Sequence, residues 1–180
     1  HRAGELLGKT VLITGGGTIG CMCVLSARLA GAAEVIVCDI AERSLTIARQ
    51  VGADRVIRSD QVDPASLADI ADVSIEAAGS PAALTTCLQA TRKGGRIVQV
   101  GTLPAEGVMF PANSVMQREL DYVGVFRAAH AFDWAVQALR TRRVDVRPLI
   151  SAQIPIAEAQ RAFELAADRS QSTKVQLVAG

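Results

Sequence analysis

The chain has 180 residues, a formal net charge of +1 and 49% hydrophobic residues. That length suits one domain with a sizeable core, and the composition excludes a disordered chain and a polyanion-binding one. Sixteen Arg and three Lys are scattered along the chain, so no basic arm and no nucleic-acid partner are expected. No apolar run approaches the roughly 20 residues that span a bilayer, so no membrane partner is expected either. The first residues, HRAGELLGKT, carry neither an initiator Met nor a secretory pattern. The expectation is a chain cut from something longer, or processed. Cys21, Cys23, Cys38 and Cys87 are spread through predicted helix and strand. Buried free thiols in a reduced, cytoplasmic compartment suit that spread.

In chain order, Lys9–Thr14 reads as a strand and Thr18–Ala30 as a helix ended by Gly31. Glu34–Asp39 is a second strand, and Glu42–Val51 a helix stopped by Gly52. Arg55–Arg58 is a short third strand, and DPASLADI holds one or two helical turns. Val73–Ala77 is a fourth strand. Ser80 then stands as a helix cap with Pro81 at the first helical position. That helix should run to about Arg92 and close on Lys93-Gly94-Gly95. Arg96–Val100 is a fifth strand, Val123–Phe126 a sixth, and a helix covers about Ala129–Arg140. Strands alternating with helices argue for βαβ units and a parallel sheet. All six aromatic residues lie after residue 109. The first half must therefore build its core from Val, Ile, Leu and Ala, which suits strands buried on both faces.

The stretch VLITGGGTIG joins the first strand to the first helix and contains a GxGxxG, with Gly15, Gly17 and Gly20 at the glycine positions. The first glycine permits a tight turn, the second lets backbone approach a pyrophosphate, and the third lets helix and strand pack closely. The helix start favours an anion. Asp39 ends the second strand, nineteen residues beyond Gly20. A carboxylate there suits the ribose hydroxyls of NAD and repels a 2′-phosphate. Its other reading is an ordinary strand-end aspartate that caps the next helix. Arg43 stands one turn later. It either covers the adenine or meets the 2′-phosphate of NADP, or it is a solvated helix residue.

Together with VCDI, GADRVI, IEAAGSPAAL, GGRIVQVG and GVFR, this stretch resembles the cofactor half of the medium-chain, zinc-type alcohol and polyol dehydrogenases. Within that family the sequence is most similar to the sorbitol and L-idonate 5-dehydrogenases, over nearly the whole chain. The resemblance implies a Rossmann-type doubly wound α/β sheet, excised from a two-domain enzyme. The nicotinamide-binding domain would cover residues 9–147, and residues 148–180 would return to the catalytic domain. It implies hydride transfer between NAD, or NADP, and a secondary alcohol or polyol. By the same resemblance, Thr18 and Ile19 would offer N–H groups and apolar contact to the pyrophosphate. Ala78 and Gly79 would make room for the nicotinamide ribose. The backbone of Val100, Gly101 and Thr102 would lie beside the nicotinamide, and that of Val125, Phe126 and Arg127 would hold its carboxamide.

In the family a catalytic zinc is held by another domain, and many members add a structural zinc on four close Cys. No such spacing occurs here. Cys21 and Cys23, two apart on a helix, diverge. His1, His130 and the cysteines read as residues without a chemical role, so no zinc and no catalytic group is assigned to this chain.

A short-chain dehydrogenase would need a Tyr followed by a Lys four positions later, but Tyr122 is followed by Phe126. A methyltransferase shares the glycine turn but not this spacing. A non-catalytic nucleotide-sensing module remains the alternative. A homodimer or higher homo-oligomer is expected through the apolar segment with Val108, Met109, Phe110 and Val115. In the tail, a helix over about Ile156–Ala167 should bury Ala159, Phe163, Ala166 and Ala167. Val175, Leu177 and Val178 should form a strand lacking its sheet, so the tail is expected to pack poorly or to pair with a neighbouring chain.

Overall fold

The computed structural model describes residues 1–127, 131–168 and 170–179. Six strands form one parallel sheet: β1 (Thr10–Thr14), β2 (Glu34–Asp39), β3 (Arg55–Arg58), β4 (Ala71–Glu76), β5 (Thr91–Gln99) and β6 (Asp121–Gly124). Their spatial order is β3-β2-β1-β4-β5-β6. The helices are α1 (Thr18–Leu29), α2 (Glu42–Gln50), α3 (Pro81–Ala90), a short α4 (Ala112–Gln117), α5 (Ala131–Arg140) and α6 (Ala159–Ala167). This is the doubly wound Rossmann-type fold, with the order reversing between β1 and β4. Ligands bind such sheets in the crevice at that point, beyond the carboxyl ends of the strands.

The strands alternate between two buried faces. Val11 and Ile13 of β1, and Val35 and Val37 of β2, pack with Val24 and Leu45 of α1 and α2. Leu12, Ile36 and Cys38 point the other way, into a cluster with Leu67 and Ala90. Aliphatic side chains on both faces take the place of aromatics in this half, as the composition requires. Ser80 caps α3 by accepting from the Ala83 N–H at 3.2 Å, with Pro81 at its start.

Several boundaries differ from the sequence expectation, each for a local reason. Helix α3 stops at Ala90, because buried Thr91 turns extended there. The Thr91 hydroxyl lies 2.6 Å from the Cys87 carbonyl and 2.7 Å from the Ser74 hydroxyl. Lys93-Gly94-Gly95 is therefore no helix stop. It sits in a bulge of β5, where the register against β4 shifts between Ala71↔Thr91 and Val73↔Arg96. Strand β6 starts two residues early, at Asp121, where Arg96 of β5 bonds the Asp121 carboxylate at 2.6 Å. Val125 and Phe126 thus lie past the strand. Ala129 and His130, at the expected start of α5, lie outside the described residues.

The tail makes its own sheet. Strand β7 (Ile150–Pro155), absent from the expectation, pairs in parallel with β8 (Lys174–Val178). So β8 has a partner within the chain. Just before β7, Leu149 is buried in the same cluster as α1 and α2. Helix α6 buries Ala162 and leaves Phe163 exposed, with Ala166 and Ala167. The expected face is rotated because α6 packs against β7 and β8.

Candidate functional site

At the carboxyl edge of the sheet, three turns come together with almost no space between their backbones. Gly15 adopts φ +92°, and a Cβ there would meet the Ala78 nitrogen at 2.7 Å. A Cβ on Gly20 would lie 1.7 Å from the Gly15 carbonyl oxygen. Gly79, at φ +71°, would drive a Cβ to 2.5 Å from the Thr102 carbonyl, and Gly101 to 2.4 Å from the Gly79 nitrogen. The turns after β1, β4 and β5 are thereby stacked side by side, and a side chain at any of these positions would separate them.

Gly17 is different. A Cβ there would meet nothing within 4 Å, and its φ of −68° is open to any residue. The glycine loop therefore presents bare backbone to solvent at this point. Gly17 is also the cap of α1 and supplies no side-chain partner to the helix start. The first bond of the helix runs from the Cys21 N–H to the Gly17 carbonyl. The N–H groups of Thr18, Ile19 and Gly20 precede it, as does the positive end of the helix dipole. An open cradle at an uncapped helix start fits a phosphate or pyrophosphate. The Ile19 side chain is exposed beside it.

Asp39 closes the loop from the β2 side. Its Oδ2 accepts from the Gly16 N–H at 2.6 Å and its Oδ1 from the Ala41 N–H at 2.8 Å. The carboxylate thus ties the loop to the turn between β2 and α2. Each oxygen keeps a further lone pair for a ribose hydroxyl. Arg43 is half-buried in the first turn of α2, and its Nη2 donates to the Ser151 hydroxyl at 3.3 Å.

The other half of the edge is organised by Glu76, a residue the sequence reading passed over. It is fully buried at the end of β4, and its Oε1 accepts from the Ala78 N–H at 2.9 Å and the Gly79 N–H at 2.7 Å. Its Oε2 accepts from the Gln99 amide, which also donates to the Gly101 carbonyl at 2.7 Å. Tyr122 on β6 donates to the side-chain oxygen Oε1 of Gln99 at 2.9 Å. Burial, then the nearby Glu76 charge, raise the Tyr122 phenol pKa above its ordinary value. This chain of polar side chains fixes the turns that carry Ala78, Gly79, Val100, Gly101 and Thr102. A glutamate inside VSIEA gives no sign of such burial; only the neighbouring strands do.

Val125 is tied to β5 by its N–H on the Gln99 carbonyl at 3.0 Å. Phe126 and Arg127 extend outward: Phe126 is exposed, and the Arg127 guanidinium stands 4.9 Å over its ring. Arg127 also holds a φ of +65°, strained for a side-chain-bearing residue. The structure thus brings together the glycine loop, Asp39, Ala78, Gly79, Val100, Gly101 and Thr102, while Phe126 and Arg127 reach away from them.

Among the described residues, no three His, Cys, Asp or Glu side chains gather as a metal site would require. His130 lies outside the described residues. No helix is long and apolar enough to cross a membrane among those residues. A concavity of about 530 Å³ near Leu25, Arg28, Gly52 and Arg143 lies at the opposite end of α1 from the glycine loop.

Residues 18–141 match the family described as zinc-binding dehydrogenase. L-idonate 5-dehydrogenase (NAD(P)(+)) of Escherichia coli K12 is 38% identical over 99% of this chain and 52% of its own length. Human sorbitol dehydrogenase is 35% identical over 91% of this chain and 48% of its own. The crystal structure of the Escherichia coli L-idonate 5-dehydrogenase superposes with a TM-score of 0.93 at 37% identity, covering 99% of this chain and 52% of that one. A zinc-binding dehydrogenase from Sinorhizobium meliloti, bound to NADP, superposes with a TM-score of 0.91 at 29% identity, over 98% of this chain and 54% of that one. The chain spans about half the length of the curated relatives it matches. The glycine loop, the sheet order and these matches agree: the chain belongs to the zinc-binding dehydrogenase family.

Proposed function

We propose that this chain is the cofactor-holding part of an oxidoreductase that moves a hydride between a nicotinamide dinucleotide and a secondary alcohol or polyol, of the L-idonate or sorbitol kind. The observation that carries the reading is the open backbone at Gly17, set between the close-packed Gly15 and Gly20 at an uncapped helix start. The N–H groups of Thr18, Ile19 and Gly20 take the pyrophosphate. Asp39 takes the ribose hydroxyls and favours NAD over NADP, with Arg43 as the group that admits a 2′-phosphate. Glu76 and Gln99 hold the turns with Ala78, Gly79, Val100, Gly101 and Thr102 for the nicotinamide half, and the backbone of Val125, Phe126 and Arg127 holds the carboxamide while the Phe126 and Arg127 side chains reach outward. The bound nicotinamide supplies the hydride acceptor or donor. The zinc of the parent enzyme, and the groups that move the alcohol proton, belong to residues other than these.

Residues 9–147 form the binding unit in this reading, and residues 148–180 the return to the catalytic half. The β6 edge and the neighbouring Val108, Met109, Phe110 and Val115 join two copies, in a cytoplasmic enzyme. The names of the relatives support the substrate class.

The test is a calorimetric titration with NAD, NADP and S-adenosylmethionine. Saturable binding of NAD, tighter than NADP and with none of S-adenosylmethionine, supports the reading. Binding of S-adenosylmethionine alone, or of none of the three, overturns it. Dinucleotide binding by the whole protein without alcohol oxidation would favour a nucleotide-sensing module.

A further inference from the structure

The tail reaches the glycine loop and α2 through one short chain of hydrogen bonds. The Thr18 hydroxyl donates to the Thr173 carbonyl at 2.7 Å. The Thr173 N–H donates to the Ser151 hydroxyl oxygen at 2.8 Å, and Arg43 Nη2 donates to that same oxygen at 3.3 Å. Ser151 lies on β7 and Thr173 just before β8, so the two-stranded tail sheet lies across the openings of α1 and α2. Arg43 Nε is buried and has no hydrogen-bond partner among the described residues. The guanidinium is therefore held by one long hydrogen bond to a neutral hydroxyl, with a donor unused.

We infer that Ser151 is a specificity-determining residue for the dinucleotide, because its hydroxyl holds Arg43 against the tail and so keeps the guanidinium from a 2′-phosphate beside Asp39. The inference rests on the dinucleotide reading above. A guanidinium binds a phosphate far better than a neutral hydroxyl, through two charge-assisted bonds. What the tail withholds is thus the cation in the first turn of α2. Release of Arg43 moves selectivity from NAD towards NADP. The same contact makes the tail sense the cofactor, since a bound 2′-phosphate competes with Ser151 for Arg43.

Dissociation constants for NAD and NADP, measured on the protein and on its Ser151→Ala, Ser151→Thr and Ser151→Ala/Arg43→Gln variants, test this. Ser151→Ala should shift the NAD-to-NADP affinity ratio towards NADP by about fivefold or more, the worth of one hydrogen bond. Ser151→Thr keeps the hydroxyl and should keep the parental ratio. The double variant should lose the gain. Mere loosening of the tail would weaken both nucleotides alike, and an unchanged ratio in a folded Ser151→Ala protein overturns the inference. So does a gain that survives removal of Arg43. If the unaltered protein binds neither dinucleotide, the functional reading itself fails; if it binds NAD and only the ratio fails to respond, the role of Ser151 alone is wrong.

Discussion

The Asp39 carboxylate accepts from the Gly16 N–H at 2.6 Å and so ties the end of β2 to the glycine loop. Its other oxygen holds the Ala41 N–H, at the start of α2. One carboxylate thus ties the glycine loop to the turn that leads into α2, and in the proposed reading the same group meets the ribose hydroxyls. Asp39→Ala should weaken NAD binding by about tenfold or more. It should also lower the melting temperature, because two backbone donors lose a charged partner. Calorimetry and thermal unfolding on the same variant check both. Tighter NAD binding, or an unchanged melting temperature, would refute this account of Asp39.

Two glycines in one motif should respond in opposite ways. Gly20→Ala would put a Cβ 1.7 Å from the Gly15 carbonyl oxygen, so α1 must shift away from the loop, and unfolding should move to markedly lower temperature. Gly17→Ala meets open space at an ordinary φ, so the fold should persist. In the proposed reading the new methyl group obstructs the pyrophosphate, and dinucleotide binding should fall. Circular dichroism melts and binding titrations separate the two. Unimpaired binding by Gly17→Ala would contradict the cradle.

Why was this loop legible and its surroundings not? The glycine loop, the β1–β3 boundaries and the Ser80-Pro81 start of α3 follow from local chemistry: positive φ, strand runs and capping. The end of α3 does not, since Thr91 turns into the sheet through a hydrogen bond to Ser74, seventeen residues earlier. Glu76 was missed for the same reason. Its partner Gln99, and the Tyr122 that bonds Gln99 in turn, come from other strands, and only the parallel stacking of β4, β5 and β6 joins them. Local sequence cannot decide the role of Arg43, because Ser151, its partner, is 108 residues away. Helix α6 was read with the wrong face inward, since its buried side is chosen by β7 and β8 and not by its most apolar stripe.

Strand β6 is an open edge of the sheet, and the segment before it carries exposed apolar surface. Met109 is 96% exposed, while its neighbour Val108 and Val115 pack with Leu84 and Ile97. Exposed apolar surface beside an open strand edge invites pairing. Sedimentation should show a dimer at micromolar concentration, and Met109→Asp should shift it to monomer with the melting profile retained. A monomer at high micromolar concentration would refute the interface.

The buried thiols give the fold an alkaline limit. Burial pushes Cys21, Cys38 and Cys87 up to about 12, and Cys23 to about 11, from an ordinary 9.0. Unfolded thiols lose their protons as pH rises through 9, whereas folded ones keep them to about 11 or 12. The unfolded state then binds fewer protons, so stability falls with rising pH across that window. Below pH 9 the contribution is fully present and flat. The slope approaches about 1.4 kcal/mol per pH unit for each such thiol. Urea unfolding between pH 8 and 10.5 should show this decline, and Cys87→Ala should make it shallower. An equal slope in the variant would contradict the role of burial.

The central claim is that a nicotinamide dinucleotide lies across the carboxyl edge of the sheet, from the glycine loop to the turns fixed by Glu76. Backbone amide chemical-shift mapping during titration with NAD tests it most directly. The account predicts the largest changes at Gly16, Gly17, Thr18 and Ile19, with a second set at Ala78, Gly79, Gly101 and Thr102. Changes centred instead on Leu25, Arg28 and Gly52, at the opposite end of α1, would contradict it.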